Sequence, residues 1–380
     1  MIEVSRSALK GNLRFIKSTV ENRLIISVVK SNAYGHGLAC FVPLARELDI
    51  RLFGVYAADE ASILLNAGVP GEEIIVMGFI HDEDIPWANS EKISFYVSDI
   101  ERLKESVCSG TPERPSNIHL ELETGMNRTG IPPAALETAV DLLESNRGSL
   151  RLRGTCTHLA GAENAANHMR IHRQLDAFRD GVAFLRGNGV DTGILHTASS
   201  AAALVIPEAR FDAVRTGIAQ YGFWPSIETR MLHILSSNQS PEGFKDPLKR
   251  VMSWKSSVMG ITDVRPGEFV GYGNFFLTSR RQKMAAVPVG YSQGFSRSLS
   301  NLGYVLVRGR RAKVSGMVNM NGMTVDVTDC PGVSRGDEVV IIGKQGRREI
   351  SVRSFGDLAG HLNYEVLAQL PDSIPRTVTA

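Results

Sequence analysis

The chain has 380 residues, of which 43% are hydrophobic and 22% charged, so it can build a packed core and is not of the disordered class. Its 42 basic and 40 acidic residues leave a net charge of +2, and no stretch concentrates basic residues, which argues against a nucleic-acid partner. Charges interrupt the first residues, and no run approaches the ~18 apolar residues of a membrane span, so we expect a cytoplasmic protein without a membrane partner.

Short β-branched runs alternate with helical patterns through the first two-thirds of the chain. The eight runs cover residues 24–29, 52–57, 74–79, 93–97, 117–122, 152–158, 193–197 and 211–215. Helical patterns at 59–66 and 134–144 lie between them, the second directly after Pro132 and Pro133. This alternation permits an open doubly wound sheet, but the count of eight favours an α/β fold with a closed (β/α)8 TIM-type barrel.

The pattern changes after Tyr221, where turn-forming residues accumulate without a clear period. These are Pro225, Pro241, Gly243 and Pro247. Strand-like runs with short turns follow from Val251, and a short helical pattern lies near 355–362. We therefore predict a barrel over 1–235 and a mostly antiparallel β domain over 236–380, which the first few residues of the chain are free to join.

The densest chemical signal is VVKSNAYGHG, where Lys30 stands at the end of the first predicted strand. The C-terminal mouth of barrel strands is where this fold keeps its catalytic groups, and a desolvated lysine there can attack a carbonyl. A lysine that reaches solvent from a strand end is the alternative. The four cysteines are isolated, so the sequence predicts neither a metal site nor a disulfide framework.

These residues resemble the lysine segment of fold-type III pyridoxal-phosphate enzymes, the alanine racemase family. Further segments follow in the order and spacing of that family: LETGMNRTG, THLAGAE, HTASSAA, VRTGIAQYG, VGYGNF, PVGYSQGF, GMVNMNGMTVDVT and NYEVL. The resemblance covers nearly the whole chain. It implies an amino-acid racemase, most simply one that interconverts L- and D-alanine, working as a homodimer with shared active sites.

The resemblance also implies a role for each matching residue. Lys30 would hold pyridoxal 5'-phosphate and act as one acid/base, and Tyr272, reaching the site of the neighbouring subunit, would be the other. His158 and Arg215 would assist Tyr272, and Arg215 would donate to the pyridine nitrogen. The remaining cofactor and substrate contacts would come from Tyr34, Arg128, Ser200, Gly217, Ile218 and Tyr364, and from Tyr291 and Met320 beside the substrate, with Arg128 near its carboxylate.

The barrel prediction and the resemblance agree on where the site lies. Lys30 follows the first predicted strand, Arg128 the fifth, Ser200 the seventh, and Gly217 with Ile218 the eighth, while His158 ends the sixth. A barrel enzyme gathers its site from these strand ends, with phosphate commonly held after strands seven and eight.

Four positions depart from the family pattern. Glu121 stands where many members carry a carbamylated lysine, and we expect its carboxylate to orient Arg128 directly. Gln293, Met317 and Asn321 replace charged residues around the access channel. Neutral drift in a channel that still admits alanine explains these changes, and a racemase for a larger or differently charged amino acid, such as serine or lysine, is the alternative. A fold-type III decarboxylase is a further one, which Arg215 at the pyridine position disfavours.

Overall fold

The computed structural model describes residues 1–237 and 243–380. Pro241, one of the predicted turn formers, lies outside these residues. The described strands are β1 Ile2–Ser5, β2 Leu24–Val28, β3 Leu52–Val55, β4 Ile74–Val76, β5 Ser94–Val97, β6 Ser116–Glu121, β7 Leu150–Cys156, β8 Ile194–His196, β9 Ala213–Thr216, β10 Met252–Ser257, β11 Gly260–Val264, β12 Gln282–Val287, β13 Tyr304–Val307, β14 Arg310–Val314, β15 Met323–Asp326, β16 Glu338–Gln345, β17 Arg348–Ile350 and β18 Arg376–Thr379.

The described helices alternate with the strands in the first part of the chain. They are α1 Arg6–Thr19, α2 Lys30–Tyr34, α3 Leu38–Glu47, α4 Ala58–Asn66, α5 Ile85–Ser90, α6 Ile100–Ser109, α7 Leu136–Ser145, α8 His168–Gly187, α9 Ser200–Val205, α10 Ile227–Ser236, α11 Val352–Ala359 and α12 Asn363–Ala368.

A parallel sheet of eight described strands forms the barrel, in the order β8-β7-β6-β5-β4-β3-β2-β9. Its two ends are joined by backbone hydrogen bonds: Asp212 N–H donates to Leu195 O at 3.0 Å, and Arg215 N–H donates to Ala198 O at 2.9 Å. All eight predicted strands are present, so the (β/α)8 prediction is confirmed. The sixth ends at Cys156, so the prediction that His158 terminates it is wrong by two residues.

The second sheet is mostly antiparallel, as predicted, in the order β11-β12-β15-β14-β13-β16-β10-β1-β18, with β17 paired to β16. The pair β1 and β18 is parallel. The strand-like region that follows Val251 begins with two strands, β10 and β11, which pair with different neighbours. The helix predicted near 355–362 spans Val352–Ala359 instead, because Ser351 caps its start and Gly360, at φ 73°, ends it in the left-handed region.

The described chain forms two compact units. One contains residues 7–31 and 41–249 and holds the barrel; the other contains residues 1–6, 32–40 and 250–380 and holds the second sheet. The domain boundary after residue 235 stays a prediction. None of the described helices combines the length and the apolar character needed to cross a lipid bilayer.

Candidate active site

Lys30 begins an unusual turn directly after the first barrel strand. The four residues from Ser31 to Tyr34 have φ of 53°, 51°, 53° and 51°, so α2 is a left-handed turn made of non-glycine residues. Such a conformation costs L-amino acids roughly 1–2 kcal/mol per residue. Strain of this kind persists where surrounding contacts over-determine the backbone, and such places are often functional sites.

The distal end of the turn is tied by its own neighbours. The Asn32 side chain accepts a hydrogen bond from Leu38 N–H at 2.7 Å and donates to Asp372. His36 Nδ1 lies 3.0 Å from Ala33 O and 2.9 Å from Tyr34 O. These contacts compensate the strain of the left-handed residues.

The surroundings of Lys30 favour a neutral amine. Burial lowers the pKa of Lys30, the nearby Arg128 lowers it further, and Glu60 acts in the opposite direction. A lysine with a lowered pKa has a larger neutral fraction near neutral pH, and the neutral amine is the nucleophile and the base. The solvent-reaching alternative is therefore disfavoured.

Arg215 lies on the last barrel strand, is 7% exposed and is tightly engaged. Its Nη1 donates to His196 Nδ1 and to His196 O, each at 2.7 Å. Its Nη2 donates to Thr157 O and Thr197 O, each also at 2.7 Å. A guanidinium has five N–H donors, and these bonds use four, so the Nε–H is the donor left for a ligand. The four bonds hold it in one orientation.

A histidine pair continues from Arg215 into the barrel interior. Because Arg215 is always a donor, His196 Nδ1 accepts, and the proton of neutral His196 sits on Nε2. His196 Nε2 lies 2.9 Å from His119 Nδ1 and donates to it. Burial lowers the pKa of His119 to about 3 and that of His196 well below its ordinary value, with Arg215 adding to both effects. Both rings are therefore neutral at physiological pH.

The barrel backbone makes room for this pair. The pairing of β6 with β7 shifts register between Ile118 and His119, opposite Gly154. A Cβ on Gly154 would lie 2.4 Å from His119 Nδ1 and 2.7 Å from Ile194 O. Glycine is required there by the close approach of the histidine ring.

His158 lies two residues after β7, near the groups predicted to share its site. Burial, together with the charges of Arg215, Arg128 and Lys30, lowers its pKa to about 3. Arg215, Arg128 and Lys30 are therefore near enough to His158 to influence its protonation, as expected for residues at the same end of the barrel. His158 is thus a neutral hydrogen-bonding group rather than a cation.

The strand ends after β8 and β9 supply polar groups side by side. Ser200, buried at the start of α9, accepts hydrogen bonds at Oγ from Gly217 N–H at 2.9 Å and from Ala219 N–H at 3.5 Å. Its own hydroxyl proton stays available to an acceptor. Ile218 is buried directly beyond Gly217, and within the described chain the buried Thr216 Oγ1 has no hydrogen-bond partner.

Glu121 ends β6 and is buried, whereas Arg128 is exposed in the loop that follows. Burial raises the pKa of Glu121, while a hydrogen bond from Thr129 and the charges of Arg215 and Arg128 lower it. The carboxyl thus lies within the field of both arginines. Orientation of Arg128 by Glu121 stays a prediction.

The other predicted residues belong to the unit that contains the second sheet. The Tyr34 and Tyr364 rings lie 6.1 Å apart, and burial raises the pKa of Tyr34, with Tyr364 adding to the effect. Tyr272 is 72% exposed between two glycines of positive φ, Gly271 and Gly273.

Tyr291 and Met320 are also exposed in that unit, and the three altered channel positions lie in the same loops. Asn321 Nδ2 donates to Ser292 Oγ at 2.7 Å, and Arg297 Nη2 lies 3.1 Å from Met317 Sδ. Gln293 Oε1 accepts a hydrogen bond from Gly290 N–H at 3.0 Å, which stabilises the turn that contains both residues.

The barrel end has the donor set that pyridoxal phosphate needs. A half-buried lysine amine suits its aldehyde, the Arg215 Nε–H suits a ring nitrogen, and the Ser200 and Thr216 hydroxyls suit phosphate oxygens. The buried and unsatisfied Thr216 Oγ1 is itself a sign that a polar ligand completes this end of the barrel. The residues present therefore fit this cofactor.

Sequence reasoning missed three residues that the structure brings to the site: Glu60, His119 and His196. Glu60 is the third residue of α4, a spacing typical of a helix cap, which could have drawn attention to it. His119 carries no local signal, and His196, although it opens the HTASSAA segment, acquires its role only through contacts between strands far apart in the chain.

Comparison with known proteins agrees with this geometry. Residues 4–225 match the alanine racemase N-terminal domain family, and residues 251–378 match the alanine racemase C-terminal domain family. The alanine racemase of Leptospira interrogans is 34% identical over 380 residues, which cover 99% of this chain and 95% of the relative. That of Syntrophobacter fumaroxidans is 34% identical over 375 residues, covering 97% of this chain and 94% of the relative.

Solved structures agree as well. The alanine racemase of Bacillus anthracis superposes with a TM-score of 0.89 at 30% identity, covering 100% of this chain and 94% of that one. The enzyme of Streptomyces coelicolor gives a TM-score of 0.86 at 28% identity, with coverages of 99% and 97%. Fold and site together define an isomerase built from a barrel and a β domain. The chain belongs to the alanine racemase family.

Proposed function

We propose that this protein is a pyridoxal-phosphate-dependent racemase that interconverts L- and D-alanine by a two-base mechanism with Lys30 and Tyr272. The observation that carries the proposal is Arg215, held by four hydrogen bonds with one donor left, at the same end of the barrel as the half-buried Lys30. Family membership supports the same reaction.

Residues at the barrel end would each hold one part of the cofactor. When bound, pyridoxal phosphate would supply an electron sink for the electron pair that remains on the substrate Cα after its proton is removed. Lys30 would hold it covalently, Ser200 with the backbone at Gly217 and Ile218 would hold the phosphate, and Tyr34 and Tyr364 would add hydroxyls. Arg128 would bind the substrate carboxylate, beside Met320 and Tyr291.

Arg215 determines the outcome in this scheme. Its guanidinium cannot readily release a proton, and its neighbours His196 and His119 are neutral, so no group in this network can protonate a ring nitrogen. By leaving a ring nitrogen unprotonated, Arg215 would weaken the electron sink, and Lys30 and Tyr272 would then return a proton to Cα quickly. Racemisation follows from this arrangement, and the glutamate that decarboxylases of this fold type use is absent from the position.

Proton transfer needs one base on each face of the substrate Cα. The lowered pKa of Lys30 suits it to exchange a proton on one face. Tyr272 would serve the other face from the neighbouring subunit of a homodimer, with His158 and Arg215 assisting. The barrel would span 1–235 and the second domain 236–380. A cytoplasmic location stays a prediction from the sequence.

The deciding experiment follows deuterium uptake at Cα by NMR, with the enzyme in heavy water and L-alanine, L-serine and L-lysine offered separately. Fast exchange into alanine with formation of D-alanine supports the proposal. Exchange into serine or lysine alone would assign the enzyme to a larger substrate through Gln293, Met317 and Asn321. Release of carbon dioxide would make it a decarboxylase, and no turnover of any amino acid would contradict an enzymatic role.

A mixing experiment tests the shared site. Lys30→Ala and Tyr272→Phe proteins are each purified inactive, mixed and allowed to exchange subunits. If each site uses residues of two chains, mixed dimers contain one intact site and regain part of the activity. No recovery despite demonstrated exchange contradicts the shared arrangement.

A further inference from the structure

Glu60 joins two loops at the barrel end through its two carboxylate oxygens. Its Oε2 accepts a hydrogen bond from Tyr56 N–H at 2.8 Å, directly after β3. Its Oε1 accepts one from Ser31 N–H at 2.5 Å, three residues after the end of β2. Ser31 is the neighbour of Lys30 and the first left-handed residue of the turn.

One of these bonds has an ordinary explanation. Glu60 is the third residue of α4, the N-cap residue Ala57 provides no side-chain hydrogen bond, and a glutamate at this position commonly reaches back to a backbone N–H at the start of its helix. The bond to Tyr56 serves that purpose. The bond to Ser31 does not, because Ser31 lies 29 positions away in the chain and outside the helix.

We propose that Glu60 is a positioning residue that fixes the turn carrying Lys30 by accepting the backbone N–H groups of Ser31 and Tyr56 together. The inference rests on the proposed function, in which Lys30 holds the cofactor. A carboxylate bonded to backbone N–H groups makes charge-assisted hydrogen bonds, which are shorter and stronger than neutral ones. The hydrogen bond to Ser31 therefore restrains the first residue of the strained left-handed turn, which directly follows Lys30.

Glu60 also contributes its charge to the site. It is the one acidic group among the influences on Lys30, where it opposes the effects of burial and of Arg128. The position of the Glu60 carboxylate and its charge predict effects that can be measured separately. If Glu60 only capped α4, its replacement would change neither the reactivity of Lys30 nor the dependence of that reactivity on pH.

The test compares three variants of the full-length enzyme. Glu60→Gln keeps the side-chain length and removes the charge, and Glu60→Asp keeps the charge but is one methylene too short to bridge both loops. Asp59→Asn is the matched control, since it removes the same charge from the same helical turn without touching either amide. Thermal unfolding of each protein reports whether α4 is intact.

The first readout is the rate at which bound pyridoxal phosphate is lost to hydroxylamine, followed by its absorption. We expect loss to be about tenfold faster in Glu60→Gln and Glu60→Asp, as for removal of one charge-assisted hydrogen bond, and unchanged in Asp59→Asn. The second readout is labelling of Lys30 by an amine reagent across pH in cofactor-free protein, quantified on its peptide. Its midpoint is expected to move to lower pH in Glu60→Gln and to stay in Asp59→Asn.

Different results would contradict the proposed function and the positioning role of Glu60. If borohydride does not attach pyridoxal phosphate to Lys30 in the unmodified enzyme, the proposed function is wrong. If attachment occurs but both Glu60 variants match Asp59→Asn in cofactor loss and in the labelling midpoint, the role of Glu60 is wrong. If Glu60→Gln is too unstable to purify, Glu60→Asp decides, and cofactor loss equal to that of the control overturns the inference.

Discussion

The end of the barrel and the loop that carries Tyr272 differ sharply in how they are held. Arg215 is 7% exposed and makes four hydrogen bonds of 2.7 Å, all to groups of the same barrel. Tyr272 is 72% exposed between Gly271 and Gly273. Arg215 is therefore restrained within one unit of one chain, whereas Tyr272 receives little support from its own unit.

This difference has a physical basis. A closed parallel sheet places its strand ends together, so residues far apart in the sequence restrain one another. The loop of Tyr272 is closed by the backbone hydrogen bond from Val270 N–H to Phe276 O, but the Tyr272 ring itself is exposed and packs only if another surface covers it. We expect that surface to be the neighbouring subunit.

Loss of Lys30 tests the barrel end and has the largest expected effect. Lys30→Ala should lower racemisation by about 10⁴-fold or more, because a covalent attachment and a base are lost together. Turnover and the absorption of the Lys30-bound cofactor are the measurements. An unchanged absorption band would remove Lys30 from its assigned role.

Loss of the Tyr272 hydroxyl tests the exposed loop. Tyr272→Phe should keep the cofactor bound and lower proton exchange about 10²- to 10⁴-fold, the usual range for a general acid or base, and more for one enantiomer than for the other. Deuterium exchange started from L- and from D-alanine measures this asymmetry. Equal losses from both directions would contradict the assignment of one base to each face.

A methyl group inside the barrel tests how tightly the histidine pair is packed. Gly154→Ala should lower the free energy of unfolding by about 1–3 kcal/mol or more, since the new Cβ meets His119 Nδ1 at 2.4 Å and Ile194 O at 2.7 Å. Denaturant unfolding gives the value. Gly187→Ala is the control, because nothing lies within 4 Å of a Cβ there, and it should be neutral or stabilising.

Acid sensitivity provides a smaller test of the same region. The pKa of His119 is lowered to about 3 in the folded protein, below the ordinary 6.5, so the unfolded chain binds the extra proton between these values. The neutral His119 ring therefore makes its full contribution to the free energy of unfolding above about pH 6.5. As the pH falls from there toward 3, the free energy of unfolding decreases by about 1.4 kcal/mol per pH unit.

His119→Gln removes this titrating group and keeps an acceptor for His196. The difference in unfolding free energy between variant and unmodified protein, measured in urea from pH 7 to pH 4, should therefore vary with that slope. A difference that does not change with pH would mean that His119 is not buried as a neutral ring.

Much of the fold followed from local pattern. Eight β-branched runs predicted the eight barrel strands, because buried parallel strands are nearly continuous apolar segments. The missed strands β1 and β18 are short and depend on each other, since Ile2–Ser5 pairs in parallel with Arg376–Thr379 across almost the whole chain. The helix α11 was misplaced because its ends depend on Ser351 and Gly360 rather than on its apolar positions.

By itself, the sequence determined the barrel, the second sheet, the family and the position of Lys30 at a strand end. Only the tertiary structure decided how these residues are held: the left-handed turn after Lys30, the carboxylate of Glu60 on its Ser31 neighbour, and the tautomers of His196 and His119. The reason is that hydrogen-bond direction and desolvation depend on contacts between distant strands. Apolar periodicity records which residues are buried and carries no information about those partners.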